Sequence, residues 1–280
     1  MTAIELKLDR HERWPLLMGI VNVTPDSFSD GGKYLSPADA VERGETLLAE
    51  GAALLDLGAE STRPGAPPVA TEEEWRRLQP VLIALRKSHA DLPLSIDTAK
   101  AEIARRALDE GATLINDVTG GADPAMFPLL ARAGCPCVLM HLRGTPAIMH
   151  RMTGYPGGVV QTVIAELNQT IDAALQAGVK REQIIADPGI GFAKDAAQSA
   201  QLLRALPDFV AAFGTVLLAA SRKSFIGAVD APYNPPASGR LPGSLAAALH
   251  GAISGAAMLR VHDIAATRQA LAVWRAVRGR

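Results

Sequence analysis

The stretch MGIVNVTPDSFSDGG, Met18 to Gly32, begins as a strand and ends as a polar loop. The apolar run Leu16–Val23 has the length and the β-branched content of a buried strand. An amide, Asn22, lies near its end, and the loop that follows is rich in hydroxyl, acidic and glycine residues and also carries Phe28. This arrangement is typical of a strand that delivers a polar group to a site.

The same unit of an apolar run followed by a helical pattern occurs eight times. After Leu16–Val23 the runs are ALLDLGA, PLSIDT, ATLINDV, CPCVLMH, QIIADPG, TVLLAAS and GAAMLRVHD. Eight strand–helix units predict an α/β fold of the (β/α)8 (TIM) barrel type, forming a single domain over residues 1–280 with an N-terminal lead-in of about residues 1–14. The alternative is an open doubly wound sheet, but that fold usually has a glycine-rich fingerprint after its first strand, which this sequence lacks.

Helix boundaries follow from capping patterns. Ser36 is predicted as the N-cap of the first helix, with Pro37 in its first turn, and Asp263 as the cap of the last. A capping box is predicted for Thr71 and Glu74, within a charge run expected to form a solvated helix face. The segment 230–243 is predicted as a long loop because its prolines and glycines break regular structure, with the next helix starting at about Ser244.

Composition excludes several classes of protein. The net charge of −1 over 280 residues gives no basic field for nucleic acid. No apolar stretch is long enough to span a membrane, and the N-terminus lacks the apolar core of a signal peptide. Cys135 and Cys137, one residue apart, are poor disulfide partners, so we expect reduced thiols in a cytoplasmic protein.

Active sites of such barrels lie at the carboxyl ends of the strands, where this sequence places polar residues. A single polar residue at a strand end is usually a helix cap or a solvent contact. Nearly every strand here ends on a polar residue, however, and this repetition favours a polar pocket. Carboxylates, an amide and cations could bind the donor and acceptor edge of a flat heterocycle; they are Asp97, Asp187, Asn116, Lys223, Arg63 and Arg260. A second subset suits phosphate oxygens and Mg²⁺; it consists of Asn22, Thr62, Arg63, Arg260 and His262.

The sequence resembles the dihydropteroate synthases of folate biosynthesis. The resemblance rests on GIVNVTPDSFSDGG, DLGAESTRPGA, SIDT, INDVTGG, LMHLRGTP, ADPGIGFAKD, SRKSF and MLRVHD, which occur in this order between residues 19 and 263. It implies that p-aminobenzoate displaces pyrophosphate from (7,8-dihydropterin-6-yl)methyl diphosphate with Mg²⁺ as cofactor. It also implies a homodimer formed through outer helices.

The resemblance implies a role for each matching position. The pterin-binding residues would be Asp97, Asn116, Met140, Asp187, Phe192, Lys223 and Arg260. The diphosphate would be held by Asn22, Thr62, Arg63, Arg260 and His262, with Asn22 also on the metal. The p-aminobenzoate pocket would comprise Phe28, Pro64, Lys223 and Ser224, and the catalytic residues would be Asp97, Lys223, Asp30 and Arg63.

Two alternatives share the expected barrel and pocket. A pterin-dependent methyltransferase would lack the SFSDGG, STRPGA and SRKS elements, which this sequence has. A non-catalytic pterin-binding paralogue would have lost residues such as Asn22 or Lys223, which are present. Departures from the family pattern occur at Ala219, Ile190 and Ala193, and they concern the fit of the substrate rather than the polar groups.

Overall fold

A computed structural model describes residues 14–24, 36–63 and 65–279, which contain eight parallel strands, with one or two of ten α-helices after each strand. The strands are β1 (Leu16–Asn22), β2 (Leu54–Gly58), β3 (Leu94–Asp97), β4 (Leu114–Asp117), β5 (Cys137–Met140), β6 (Ile184–Asp187), β7 (Leu217–Leu218) and β8 (Met258–Val261). The helices are α1 (Pro37–Glu50), α2 (Thr71–Ser88), α3 (Ala101–Asp109), α4 (Met126–Ala133), α5 (Val159–Gln176), α6 (Ala196–Arg204), α7 (Leu206–Phe213), α8 (Ser224–Val229), α9 (Leu241–Ile253) and α10 (Ile264–Val277).

The strands form one closed sheet. Their hydrogen-bonded order is β6-β5-β4-β3-β2-β1-β8-β7, and every described pair is parallel. A bridge between Ala186 in β6 and Val216, next to β7, joins the two ends of that order. The predicted (β/α)8 barrel is therefore confirmed.

Two connections carry an additional helix that the sequence patterns did not predict. Helices α6 and α7 both lie between β6 and β7, and α8 and α9 both lie between β7 and β8. The loop predicted over 230–243 is also shorter than expected, since α9 begins at Leu241 rather than near Ser244. Pro242 sits in the first turn of α9, where a helix does not require the missing backbone N–H, so this proline starts the helix instead of breaking it.

The first helix begins as predicted. The Ser36 side chain accepts a hydrogen bond from the Asp39 backbone N–H, and the Asp39 carboxylate accepts one from the Ser36 N–H at 3.0 Å. These two reciprocal bonds satisfy backbone donors that the helix itself leaves unpaired. Pro37 occupies the first turn, and Gly51 ends the helix in the left-handed conformation with φ 105°.

The capping box predicted for α2 is wrong. The helix does begin at Thr71, but Ala70 is its N-cap and no side chain caps it. Glu74 is fully buried instead of lying on a solvated face, and it accepts hydrogen bonds from Thr98 Oγ1 at 2.7 Å and from Lys100 Nζ at 2.5 Å. A carboxylate that is removed from water needs such partners, and these outcompete the backbone N–H of a helix end.

The barrel interior is built in layers by the two-residue period of the strands. The deepest layer is an apolar cluster that seven strands supply, and it comprises Met18, Leu54, Leu114, Val138, Ile185, Leu217, Ala219 and Met258. Strand side chains alternate between the two faces, so the residue two positions further on points to the same interior. On β2, β4 and β8 that residue is Asp56, Asn116 or Arg260. A polar layer therefore lies directly on the apolar one, towards the carboxyl ends of the strands.

Two further expectations concern the thiols and membranes. Cys135 and Cys137 are both free, and burial raises the pKa of Cys135 to about 11 and that of Cys137 further. Both thiols therefore stay protonated near neutral pH. Among residues 14–24, 36–63 and 65–279, no helix combines the length and the apolar character needed to cross a membrane.

Replacement of Glu74 by alanine is expected to lower the free energy of unfolding by about 2–4 kcal/mol. The replacement removes the buried carboxylate that accepts hydrogen bonds from Thr98 and Lys100. The matched control is Glu72→Ala on the same helix, whose side chain is 75% exposed and pairs with Arg106. Urea unfolding of both variants measures the effect. Equal stability of the two variants would contradict the role of Glu74.

Candidate active site

A cavity of about 500 Å³ opens at the carboxyl ends of the strands. It lies above the apolar layer, where a barrel of this type places its active site. All of the predicted site residues that the structure describes line it: Asn22, Thr62, Arg63, Asp97, Asn116, Met140, Asp187, Phe192, Lys223, Ser224, Arg260 and His262. The predicted residues Phe28, Asp30 and Pro64 lie outside the described residues.

Arg260 and Asp56 form the centre of the polar layer. Arg260 Nε donates to Asp56 Oδ2 at 2.6 Å, and Arg260 Nη2 donates to Asp97 Oδ2 at 2.8 Å. The completely buried Asp56 also accepts hydrogen bonds from Ser95 Oγ at 2.5 Å and Asn116 Nδ2 at 3.0 Å. Sequence analysis gave Asp56 no role. Its position two residues after Leu54, on the inward face of β2, is the signal that could have identified it.

Two carboxylates face the cavity in surroundings that oppose their charge. Burial raises the pKa of Asp97 to about 7, although the attraction of Arg260 acts in the opposite direction. Burial likewise raises the pKa of Asp187, which Lys223 opposes. The Asp187 side chain accepts a hydrogen bond from the Gly189 N–H at 2.7 Å. Both carboxylates are thus held where a ligand with N–H donors would favour their charged form.

Lys223 lies against the loop that follows β6. Its ammonium donates to the Ile190 carbonyl at 2.5 Å and lies 4.3 Å from the centre of the Phe192 ring. Burial lowers the pKa of Lys223 to about 8, while the charge of Asp187 counteracts this effect. The protonated Lys223 ammonium can donate a hydrogen bond to a ring carbonyl or a ring nitrogen of a heterocycle.

The end of the cavity that lies over the neighbouring strands β2, β1 and β8 is rich in donors. Thr62 and Arg63 come from the loop between β2 and α2, and His262 comes from the end of β8. The His262 Nδ1 atom lies 3.0 Å from Ser221 Oγ. Burial and the charge of Arg260 lower the pKa of His262 to about 3, so the imidazole is neutral near neutral pH. His262 therefore offers this end of the cavity an N–H group rather than a full positive charge.

Two arginines that sequence analysis did not single out also line the cavity. Arg222 pairs with Asp263 through an Nη2–Oδ1 hydrogen bond of 2.5 Å, so the carboxylate predicted to cap α10 binds this cation instead. Arg240 Nη1 donates to the Arg222 carbonyl at 3.1 Å. Arg222 has a φ of 57°, a left-handed backbone conformation that a side chain rarely adopts, and these bonds on both sides fix it there.

His141 and Lys194 form a buried pair that does not line the cavity. Lys194 Nζ lies 2.9 Å from His141 Nδ1 and donates to the Phe192 carbonyl at 2.8 Å, while His141 Nε2 lies 2.8 Å from Glu166. Burial lowers the pKa of Lys194 to about 7 and that of His141 to about 4. These contacts give His141 a structural role, and they support the loop that carries Phe192.

The positions that depart from the family pattern lie near the site without displacing a polar group. Ala219 is buried at the cavity wall, where it adds a methyl group. Ala193 has a φ of 51°, a left-handed backbone conformation that glycine adopts more readily than alanine. Ile190 is buried and contributes its carbonyl to Lys223.

The donor set is compatible with a divalent cation bound together with a phosphate ligand. Within the described ranges, no group of three or more His, Cys, Asp or Glu side chains could hold a metal ion alone. Asn22 lines the cavity, and its carboxamide oxygen is a suitable ligand for such a cation. Magnesium commonly takes only one or two protein oxygens and completes its shell with water and substrate phosphates, so a single amide near a diphosphate fits it.

Residues 18–262 match the family model described as pterin binding enzyme. The chain is 44% identical over 262 residues to the dihydropteroate synthase of Mycobacterium leprae, which covers 92% of this chain and 91% of that protein. It is also 44% identical over 253 residues to the folic acid synthesis protein fol1 of Schizosaccharomyces pombe, covering 89% of this chain but 34% of that longer protein.

The fold agrees with a solved structure. The dihydropteroate synthase of Xanthomonas albilineans with 4-aminobenzoic acid superposes with a TM-score of 0.87 at 45% identity, covering 97% of this chain and 94% of that one. A second structure of that enzyme is a complex with 7,8-dihydropteroate. The barrel, its polar cavity and the family match define a pterin-binding enzyme. More narrowly, the chain belongs to the dihydropteroate synthase family, whose members are transferases.

The raised pKa of Asp97 has a consequence for stability. Between the ordinary pKa of 3.8 and about 7, the folded state binds a proton that the unfolded state has released. The contribution of Asp97 to the free energy of unfolding therefore becomes less favourable as pH rises through this range. Asp97→Asn removes this cost. The melting temperature of the variant relative to wild type is therefore expected to increase from pH 5 to pH 7 and to level off above. Thermal unfolding at several pH values measures it, and a constant difference would refute the assignment.

Proposed function

We propose that this protein is an active dihydropteroate synthase. It would join the amine of p-aminobenzoate to the methylene carbon of (7,8-dihydropterin-6-yl)methyl diphosphate and release pyrophosphate. The observation that carries this proposal is the polarity of the cavity: Asp97, Asn116 and Asp187 belong to β3, β4 and β6 on one side of the barrel, and Thr62, Arg63 and His262 follow β2 and β8 on the other. A substrate with a heterocycle at one end and a diphosphate at the other matches that polarity.

The heterocycle end is suited to an aminopyrimidine ring. Asp97 and Asp187 can accept its N–H groups, the Asn116 amide can both donate and accept, and Lys223 can donate to a ring acceptor. The Arg260 guanidinium, held by Asp56 and Asp97, can pack on the ring face. Met140 and Phe192 supply apolar walls. These groups fix the methylene carbon relative to the leaving group.

The anion end is suited to the leaving group. Thr62, Arg63, Arg260 and His262 can donate to diphosphate oxygens, and Asn22 would hold Mg²⁺ beside them. When bound, the metal ion would neutralise charge on the departing pyrophosphate. Asp30 and Arg63 are proposed to assist catalysis from the loops after β1 and β2. Phe28 and Pro64 would enclose the benzoate ring together with Ser224.

The reaction is proposed to be a dissociative substitution. The bond between the methylene carbon and the diphosphate oxygen breaks, and its electron pair leaves with pyrophosphate. The electron-rich dihydropterin spreads the resulting positive charge, which the Asp97 and Asp187 carboxylates stabilise. The amine nitrogen then forms the new bond and releases a proton. Positioning of the amine matters more than its activation in this course, because the carbon is already a strong electrophile.

A covalent intermediate on the protein is not part of this proposal. The Ser221–His262 contact at 3.0 Å resembles a nucleophile and its base. The pKa of His262, lowered by burial to about 3, makes the imidazole too weak a base to remove the serine proton. We therefore infer that Ser221 orients His262 instead of attacking the substrate.

The test is pyrophosphate release from the dihydropterin diphosphate, with and without p-aminobenzoate and with and without Mg²⁺. Magnesium-dependent release coupled to 7,8-dihydropteroate formation is expected. Pterin binding without turnover would favour the non-catalytic paralogue instead. Methyl transfer from a folate donor, without pyrophosphate release, would favour the methyltransferase.

A bell-shaped pH dependence of kcat/KM for the dihydropterin diphosphate is expected. The rate should fall below pH about 7, where Asp97 takes up a proton, and above pH about 8, where Lys223 loses one. Asp97→Asn should lower kcat by about 100-fold or more and remove the acid limb. Glu72→Gln, on the exposed face of α2, should keep both limbs. An acid limb that persists in Asp97→Asn would assign it to another group.

We also propose that the enzyme is a cytoplasmic homodimer. Support comes from an apolar groove between α9 and α10, which Leu245, Leu249, Val273 and Val277 line. Val273 is 59% exposed and Val277 is 74% exposed, and such a patch gains stability when a second surface covers it. Light scattering of wild type and of Val277→Asp would test this contact, and an unchanged mass would exclude it.

A further inference from the structure

Glu60 joins the two ends of the loop between β2 and α2. Its Oε1 atom accepts a hydrogen bond from the Val69 backbone N–H at 3.2 Å, which links the beginning of the loop to the residue shortly before α2. Thr62 and Arg63, which line the anion end of the cavity, lie between these two points. One side chain therefore closes the base of the segment that presents both donors.

Lys100 fixes this base to the rest of the barrel. Its ammonium donates to the other carboxylate oxygen of Glu60 and, at 2.5 Å, to Glu74 Oε2. Glu74 belongs to α2 and also binds Thr98, while Thr98 and Lys100 follow Asp97 at the end of β3. A single cation thus connects the loop after β2, helix α2 and the segment that follows Asp97.

The ion pair is sheltered enough to hold position. The Lys100 side chain is 25% exposed and that of Glu60 is 23% exposed. Burial opposes the charge of Lys100, but the hydrogen bonds to Glu60 and Glu74 outweigh it and raise the pKa of Lys100 above its usual value. Such a charged and partly buried arrangement restrains geometry better than a pair on the open surface.

The same loop has a second attachment that does not depend on Glu60. The Gly65 N–H donates to the Pro146 carbonyl at 3.1 Å, and the Ala66 N–H donates to the Arg63 carbonyl at 3.0 Å. These backbone bonds can keep the loop folded after the ion pair is removed. Loss of the ion pair would then displace Thr62 and Arg63 without unfolding the segment.

We propose that the Glu60–Lys100 ion pair is a positioning device that sets Thr62 and Arg63 against the diphosphate. Glu60 borders the cavity, but its two carboxylate oxygens bind the Val69 N–H and Lys100, so Glu60 and Lys100 are positioning residues that act through the loop. The inference rests on the proposed function, because the diphosphate belongs to the substrate assigned above.

The central variant is Glu60→Gln. It keeps an amide oxygen for the Val69 N–H and removes the charge that pairs with Lys100. The matched control is Glu72→Gln, which removes the negative charge of a 75% exposed side chain that pairs with Arg106, between α2 and α3. For each variant and for wild type we would measure KM and kcat for the dihydropterin diphosphate. The affinities for pyrophosphate and for 6-hydroxymethylpterin and the melting temperature complete the comparison.

Glu60→Gln is expected to raise KM for the diphosphate substrate and to weaken pyrophosphate binding by about tenfold, because both depend on the placement of Thr62 and Arg63. Its affinity for 6-hydroxymethylpterin, which lacks the diphosphate, should stay at the wild-type value. Glu72→Gln should match wild type in all of these. A purely structural role would lower the melting temperature without this separation between the two ends of the cavity.

A double-mutant cycle tests whether the two residues act together. Lys100→Gln should show the same separation, and the double variant should be no worse than the poorer single variant. Wild-type KM and pyrophosphate affinity in Glu60→Gln, or an equal loss of 6-hydroxymethylpterin affinity, would overturn the inference. Pyrophosphate binding is independent of turnover, so an inactive wild type would refute the proposed function and still leave the positioning role measurable.

Discussion

The Arg260 guanidinium and its two carboxylates are the interaction on which the site depends. Arg260 comes from β8, Asp56 from β2 and Asp97 from β3, and Asn116 of β4 adds a hydrogen bond to Asp56. A cation in the barrel interior must be paired, since an isolated buried charge costs far more than a fold can supply. Its neutralisation therefore fixes the relative positions of four strands in the layer that faces the cavity.

This ion pair is possible only because the layer beneath it is apolar and well packed. Met258 precedes Arg260 by two positions on β8, just as Leu54 precedes Asp56 on β2, and both belong to the deepest cluster. Because side chains two positions apart point to the same face, each of these strands carries an apolar residue of the packed layer next to a polar residue of the site. The shifted pKa values of Asp97 and Lys223 follow from their burial on top of this layer.

The sequence was sufficient for the barrel and for much of the cavity, because both depend on local patterns. Polar groups at strand ends, such as Asn22 and Asp187, were identified from their position after apolar runs. Asp56, at the predicted end of the second strand, was given no role, because its partners on β3, β4 and β8 are invisible to a local pattern. Glu74 was misassigned for a similar reason, because a capping motif was compatible with residues 71–74, but distant Thr98 and Lys100 provide stronger partners.

The closure of the barrel is uneven. Strand β7 comprises only Leu217 and Leu218, and among the described residues a single bridge, Ala186 to Val216, links β6 to this strand's start. The pair β1 and β2, in contrast, stays in register over five residues. Local opening follows the line with the fewest backbone hydrogen bonds. Local opening of the barrel should therefore occur between β6 and β7. Asp187 lies at the carboxyl end of β6, and Lys223 follows β7. The heterocycle end of the cavity thus lies over the part of the barrel that opens most easily.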